Sequence, residues 1–413
     1  MEKICFVVCQ FGKEVNGGAE IHCKMLAERL SEYYDIDILT SKVINYNTFD
    51  KYYTNSQESI NNINVLRFDC IKYDNSSYNF WWKKSKSSRK VRRTLFRFGL
   101  LKPLANIFPV WNLGIENEKN LLQNHGFYSP DMLSFLEKNY QNYKKILFMS
   151  YPYPHTVFGA GIMPSKSILI PTAHNEGDLF RSIQTHLFTK VRHIAFNTEE
   201  EQNLASRVFG KKMSPHSIVA VGVETELPES VVKGEDILNE FGIKSPYLHY
   251  FGRICDSKMG HLIEWFISYK RKNPSDLKLV LTGRIFQEQI RHADVIYTGF
   301  VTEFEKIILI KNAKLIINPS KNESLSLLLL EAMNLGKMVL VNGKSDVMKG
   351  HCIKSGYAAA YYLNKKDFQA KIHKYAFNEK LLLKNSNKAR EYVNKNYNWT
   401  IIINKLKHII DTI

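Results

Sequence analysis

Two acids stand eight positions apart in Asn318-Pro-Ser-Lys-Asn-Glu323-Ser-Leu-Ser-Leu-Leu-Leu-Leu-Glu331-Ala-Met-Asn-Leu-Gly336. An ionised carboxylate accepts hydrogen bonds at both oxygens, which suits it to sugar diols. The apolar run Ala313 to Ile317 before them has the character of a fully buried strand. Pro319 and Ser320 end that strand, Ser324 or Ser326 can cap the next helix, and Gly336 stops it. Eight helical residues rise about 12 Å, an upper bound here because Glu323 falls in the loop. That is the length over which a nucleotide sugar separates its hexose from its ribose. A buried helix with an ordinary paired Glu331 fits the same letters, so the surroundings have to decide.

Cations come next. Arg253 and Lys258 flank a loop, Gly252-Arg253-Ile-Cys-Asp-Ser-Lys258-Met-Gly260, directly after the apolar stretch Tyr247–Phe251. A guanidinium fork plus an ammonium point charge is what a diphosphate needs, both bound and departing. Near the start, Gly17-Gly18-Ala19-Glu20 opens a helix between two apolar strands, a place where backbone N–H groups and the helix dipole favour phosphate. The spacing is not that of a dinucleotide fingerprint, and a plain turn accounts for the glycine pair equally well. His174 comes after the strand Ser167–Pro171 in Pro-Thr-Ala-His174-Asn-Glu176-Gly-Asp178, with Asp178 placed to cap a helix. Strand ends in α/β folds are where reactive groups gather, so His174 is the catalytic candidate. His155, past an earlier strand, and Glu176 are acceptor-binding candidates. Asp35-Ile-Asp37 begins the second strand and reads as structural, with no metal implied.

These residues must be held by regular elements. Residues 1–225 alternate short apolar strands with helical stretches at 155–163, 178–191 and 199–209, and residues 226–390 repeat the pattern. Strands are read at Asn64–Phe68, Lys145–Met149, His193–Asn197 and Ser217–Val223, and 41–80 otherwise as long loops suited to acceptor choice. Glu224 to Glu235 reads as the crossing between domains, Lys365 to Arg390 as helical, and 391–413 as a closing helical segment packing back on the first domain. The expected fold class is α/β with two doubly wound domains.

The chain of 413 residues is long enough for two such domains. No apolar run reaches the eighteen or so residues of a membrane span, and Ile4 to Phe11 reads as a first strand, so a cytosolic location is expected. Six scattered cysteines suggest buried free thiols in a reducing compartment, not a zinc site or a disulfide framework. The net charge of +17 is concentrated. Lys83, Lys84, Lys86, Arg89, Lys90, Arg92, Arg93, Arg97 and Lys102 share one segment without an acid, interleaved with Trp81, Trp82, Phe96, Phe98 and leucines. That mixture suits an anionic membrane surface; no nucleic-acid motif accompanies it, and a solvated basic helix is the plain alternative.

The order of features resembles the retaining glycosyltransferases of family 4, of GT-B architecture. The resemblance is carried by Gly17-Gly18, the mid-domain His174, Gly252-Arg253 with Lys258, the Thr-Gly-Phe-Val block ending at Val301, and Pro319-Ser320…Glu323…Glu331-Ala-Met…Gly336. It implies two Rossmann-like domains facing each other across a cleft. It implies that Arg253 and Lys258 hold the donor diphosphate, Glu331 the ribose and Glu323 the donor sugar, with Gly17 and Gly18 approaching the phosphate and His174 facing the reacting centre. Ser324, Leu325 and Ser326 stand where backbone contacts to the sugar are expected. The family commonly has Phe-Gly where this chain has Leu325-Ser326, which leaves the sugar's identity open. The implied function is metal-independent, retaining transfer of a hexose from a nucleotide sugar, UDP-sugar favoured. The implied acceptor is a growing glycan or glycolipid of a bacterial surface polysaccharide, capsule or lipopolysaccharide, at the cytoplasmic face of the inner membrane. No cofactor is expected. A nucleotide-sugar 2-epimerase of the same architecture and a non-catalytic glycan-binding scaffold are the rival readings.

Overall fold

The computed structural model describes residues 1–15, 17–46, 48–108, 110–225 and 234–413. It contains two compact units, Met1–Val221 with Ile402–Ile413, and Gly222–Ile401. The chain therefore changes unit at Val221, not at 225/226, and the segment belonging to the first unit begins at Ile402, not at 391. The reason is local. Val223 N–H donates to the Tyr397 carbonyl at 2.9 Å, and a Cβ on Gly222 would fall 2.3 Å from the Trp399 ring, so 222–223 are tied to 397–399. Most of the polar segment expected to cross between domains, 226–233, lies outside the described residues.

Unit 1 is built on an eight-stranded sheet. Its strands are β1 (Lys3–Val7), β2 (Asp35–Ser41), β3 (Gln57–Ile60), β4 (Ile63–Phe68), β5 (Ile146–Met149), β6 (Ser167–Ile170), β7 (His193–Phe196) and β8 (His216–Ile218). Their order is β3-β4-β2-β1-β5-β6-β7-β8, and only the β3–β4 pairing is antiparallel. Central strands such as Ile4-Cys-Phe-Val and Ile146-Leu-Phe-Met are buried throughout, as expected where helices cover both faces. The edge strand β3, in the stretch read as loop, lacks that apolar signal. It is tied in by Arg67 of β4, which bonds to Glu58 and stacks 3.6 Å from the Tyr53 ring. Asp37 is wholly engaged within this unit, accepting from Tyr143 at 2.6 Å and Asn64 at 2.8 Å and pairing with Lys3 at 3.0 Å. The strand read at Ser217–Val223 stops at Ile218: the N–H groups of Val219 and Ala220 both turn to the Phe196 carbonyl, and Ala220 takes φ +67°.

Unit 2 is built on six parallel strands: β9 (Tyr247–Phe251), β10 (Lys278–Thr282), β11 (Val295–Gly299), β12 (Leu315–Asn318), β13 (Val339–Asn342) and β14 (Ala360–Tyr362). The order β11-β10-β9-β12-β13-β14 reverses direction between β9 and β12. At such a switch point the connections leave to opposite faces and open a crevice beyond the carboxyl ends. The helix expected over Lys365 to Arg390 is two helices, Lys365–Ala376 and Glu379–Asn396. The second starts where Asn378 Oδ1 accepts from Leu381 N–H at 3.0 Å.

Gly252 and Gly283 close β9 and β10 at φ +137° and +135°. A Cβ on Gly283 would meet the Gly252 carbonyl oxygen at 2.0 Å. Only glycine permits this approach, which fixes the backbone directly before Arg253. Gly283→Ala is expected to destabilise the protein by about 1–3 kcal/mol. An unchanged urea midpoint would show that the crossing of these two backbones is not a constraint.

Candidate functional site

The switch point of unit 2 carries most of the residues singled out from sequence. Arg253 comes directly after β9, with its carbonyl held by the Tyr250 hydroxyl at 2.8 Å. Lys258 lies on the short helical turn Asp256–Met259. Its ammonium reaches across to the loop after β12, to Glu323 Oε1 at 2.6 Å, the Asn322 carbonyl at 3.3 Å and Ser320 Oγ at 3.5 Å. That loop is shaped by its own polar side chains. Asn318 accepts from Ser320 N–H at 3.1 Å and donates to Ser326 Oγ at 2.9 Å, and Asn342 donates to the Pro319 carbonyl at 3.0 Å. Ser326 begins the helix Leu327–Asn334 without capping it; it sits at φ +72° and spends its hydroxyl on Asn318. Glycine takes such a left-handed conformation without strain; here serine takes it with a local hydrogen bond from Asn318. Leu325 is buried, and its carbonyl lies 2.9 Å from His351 Nε2. His351 Nδ1 lies 2.9 Å from the Tyr392 hydroxyl, and burial lowers its pKa to about 4, so a neutral ring braces the loop.

Glu331 is not joined to Lys258. It projects from the helix Leu327–Asn334 toward Lys306, whose ammonium lies 2.9 Å from Glu331 Oε2 and 2.6 Å from Glu303 Oε1. Burial raises the Glu331 pKa, with Lys306 opposing it. Burial by itself would depress Lys306, but the two carboxylates outweigh it and hold the ammonium above its ordinary range. Both side chains are largely withdrawn from water, so each depends on the other for its charge.

In unit 1, His174, Glu176 and Tyr151 lie together. His174 Nε2 lies 3.1 Å from Glu176 Oε2, and the Tyr151 hydroxyl donates to Glu176 Oε1 at 2.7 Å. The backbone beneath is strained at two adjoining strand ends: Ser150 after β5 and Thr172 after β6 both have positive φ, and their hydroxyls meet at 2.9 Å. Glu201, on the helix Glu199–Phe209, accepts from the N–H groups of Ala173 and Asn197 and so ties together the ends of β6 and β7. Burial pushes its carboxyl up to about 8, against backbone donors that pull it down. His155 is separate from this set. It is buried, stacked 5.6 Å from Tyr153, and kept neutral by burial with a pKa of about 3. Gly17 caps the helix Gly18–Leu30, and the Glu20 carboxylate folds over it, 2.0 Å from where a Cβ would stand. Glu20 also accepts from Cys9 Sγ at 3.1 Å and from the Tyr46 hydroxyl. Space beside Gly18 is open.

Two sequence expectations change here. Asp178 caps no α-helix; it starts a single 3-10 turn, Asp178–Phe180, and pairs with Arg181 Nε at 2.6 Å. Arg92, expected at a membrane surface, is buried on the helix Lys86–Arg97, with its guanidinium 5.4 Å from the Trp111 ring. Arg89 and Arg93 are half-buried on the same helix and turn toward Gly177 and Phe180. Lys83, Lys84, Lys90 and Arg97 are exposed, and Trp81 and Trp82 partly so.

Residues 239–395 match the model of the family described as glycosyl transferases group 1. That stretch is similar to the group 1 glycosyltransferase domain. Solved structures match over nearly the whole length and establish the GT-B fold of two parallel-sheet α/β domains. Anabaena HepE, solved in complex with UDP and glucose, matches at 12% identity and a TM-score of 0.69, with all of both chains covered. Sucrose-phosphate synthase from Thermosynechococcus elongatus matches at 14% and 0.67, over 99% of this chain and 98% of its own. WaaG, a glycosyltransferase involved in lipopolysaccharide biosynthesis, matches at 11% and 0.66, over 99% and 100%. No curated protein sequence matches significantly.

Arg253, Lys258, Glu323, Ser324, Leu325, Ser326 and Glu331 all fall within the matched stretch. Lys306, His351 and the asparagines at 318 and 342 were not singled out from sequence. Lys306, His351 and Asn342 act through partners 23 or more residues away, Asn318 bonds within its own loop, and a lysine three residues after Glu303 reads as a surface ion pair. Lys306→Met is expected to lower stability by about 2 kcal/mol, because Glu331 is left without its cation. Adding Glu331→Gln should restore much of the loss in urea unfolding. A double variant no more stable than Lys306→Met would show that pairing is not what the lysine supplies.

Proposed function

We propose that this protein transfers a hexose, with retention, from a nucleoside-diphosphate sugar to a glycan or lipid-linked acceptor. UDP is the favoured nucleotide and a bacterial surface polysaccharide the favoured product. The observation that carries the reading is the Lys258–Glu323 pair at the switch point of the group 1 domain. A diphosphate arriving there offers Lys258 a stronger partner. Glu323 is then released toward the sugar hydroxyls while Arg253 supplies the second cation. Positive charge already in place stabilises the departing nucleotide, which is electrostatic catalysis without need of a divalent metal. Glu331 would exchange part of its bonding from Lys306 to the ribose. In unit 1, His174, which lies 3.1 Å from Glu176, is the proposed catalytic histidine. The fold neighbours support the class of donor and product: HepE is solved with UDP and glucose, and WaaG is involved in lipopolysaccharide biosynthesis. Lys258→Ala and Glu323→Ala should each reduce transfer from UDP-sugar by about a hundredfold or more with folding intact. Activity near wild type in both variants would remove this site from the reaction.

We also propose that unit 1 docks on the cytoplasmic face of an anionic membrane. No helix among the described residues is long and apolar enough to cross one. Yet Phe98 is 76% exposed, Ile107 69% and Phe108 62%, with Leu100, Val110 and Leu113 also exposed. Exposed Lys83, Lys84, Lys90, Arg97 and Lys102 share the segment. Apolar side chains beside cations fit an acyl boundary capped by anionic headgroups. Sedimentation with phosphatidylglycerol-containing vesicles should weaken with salt, with Lys/Arg→Ser changes at 83, 84, 90 and 97, and with Phe98→Ser plus Phe108→Ser. Binding indifferent to all three would contradict the docking surface.

A further inference from the structure

We propose that the loop carrying His174 also holds a phosphoryl-binding site, centred on Arg89, for the phosphate ester of a lipid-linked acceptor. The inference rests on the transfer reading and extends it to the acceptor. The loop His174-Asn-Glu176-Gly177-Asp178-Leu-Phe-Arg181 is pinned at both ends. At one end Glu176 engages His174 and Tyr151; at the other, Asp178 pairs with Arg181, whose Nη1 donates to Ser85 Oγ at 2.9 Å. Between the pins lies Gly177, and Arg89 packs against it so closely that a Cβ there would fall 2.7 Å from Nη1.

Arg89 is the uncommitted charge of this set. Its guanidinium makes no hydrogen bond or ion pair with the described residues and lies 5.2 Å over the Trp82 ring. Burial depresses its pKa most, Arg181 and Arg93 add to this, and Asp178 and Tyr78 oppose them. Of the groups that act on Arg89, Asp178 carries a carboxylate, and it is already bonded to Arg181. A half-buried guanidinium with like charges beside it calls for an anion, and its planar fork matches a phosphate in geometry and charge. Trp82 gives the same site an apolar wall, which suits an alkyl ester better than free phosphate. Nine residues on from Arg89, about 13 Å at the helical rise, stands the exposed Phe98, with exposed Leu100 two residues beyond it. An acceptor anchored by its lipid in the bilayer would thereby present its phosphate to Arg89 and its sugar to the His174 loop.

The probe is n-octyl phosphate below its micelle concentration, titrated calorimetrically into the full chain with UDP saturating, so that donor-site cations are occupied. Wild type should bind it. Arg89→Gln should weaken it about tenfold, the loss of one charge-assisted contact. Gly177→Ala should weaken it as well, by displacing the guanidinium without removing charge. UDP affinity and binding to phosphatidylglycerol vesicles should be unchanged in both. Octyl phosphate affinity that survives Arg89→Gln overturns the site. Loss of vesicle binding in Arg89→Gln with octyl phosphate unaffected assigns the arginine to bulk phospholipid and overturns it too. A wild type that fails to bind UDP strikes the donor reading alone, and octyl phosphate titrated without UDP then judges this site by itself.

Discussion

A carboxylate withdrawn from water must keep a cation or hydrogen-bond donors beside it, and unit 2 is organised by two carboxylate–cation pairs, Lys258–Glu323 and Lys306–Glu331. Each joins elements that the chain brings together only at the β9/β12 switch point or across adjoining helices. The pairs neutralise the site while it holds no ligand. They also define its chemistry, because a ligand that competes for both members of a pair must itself carry negative charge and hydroxyl groups. A nucleoside-diphosphate sugar carries both.

The scaffold under those pairs is rigid for identifiable reasons. Gly252 and Gly283 let two strand ends meet where no side chain fits, and Arg253 comes at once after them. His351, Asn318 and Asn342 hold the Glu323 loop from beneath, so that Ser326 can be kept left-handed. In unit 1 the same economy recurs: Glu201 ties two strand ends, and Tyr151 orients Glu176, which orients His174. The candidate residues in both units are thus held by polar contacts, to side chains and to backbone, as well as by apolar packing.

Much of this was legible in the sequence because parallel strands announce themselves as short apolar runs bounded by turn residues. The stretches ending in Gly252-Arg253, in Asn318-Pro319 and before His174 were located that way, and the switch-point rule then singled out the residues just beyond them. Pairing was not legible. Lys306 meets Glu331 from 25 residues away, and nothing in either neighbourhood marks the partner. The edge strand Gln57–Ile60 was missed because Gln-Glu-Ser-Ile carries almost no apolar signal, although its exposure alternates. Arg92 was misplaced by its company: a run of nine cations hides that Ser88, Arg92 and Phe96 recur every fourth residue and form the buried stripe of their helix. Read as a stripe, the segment separates into inward and outward arginines.

The central claim is that unit 2 recognises a diphosphate by exchanging it for Glu323 on Lys258. Calorimetric titration of UDP against UMP tests it most directly, since the two ligands differ by one phosphoryl group. The account predicts that UDP binds at least about tenfold more tightly than UMP and that Lys258→Ala abolishes the difference. Equal affinity for the two nucleotides in the wild-type protein, or a preference for UDP that persists without the lysine, would contradict it.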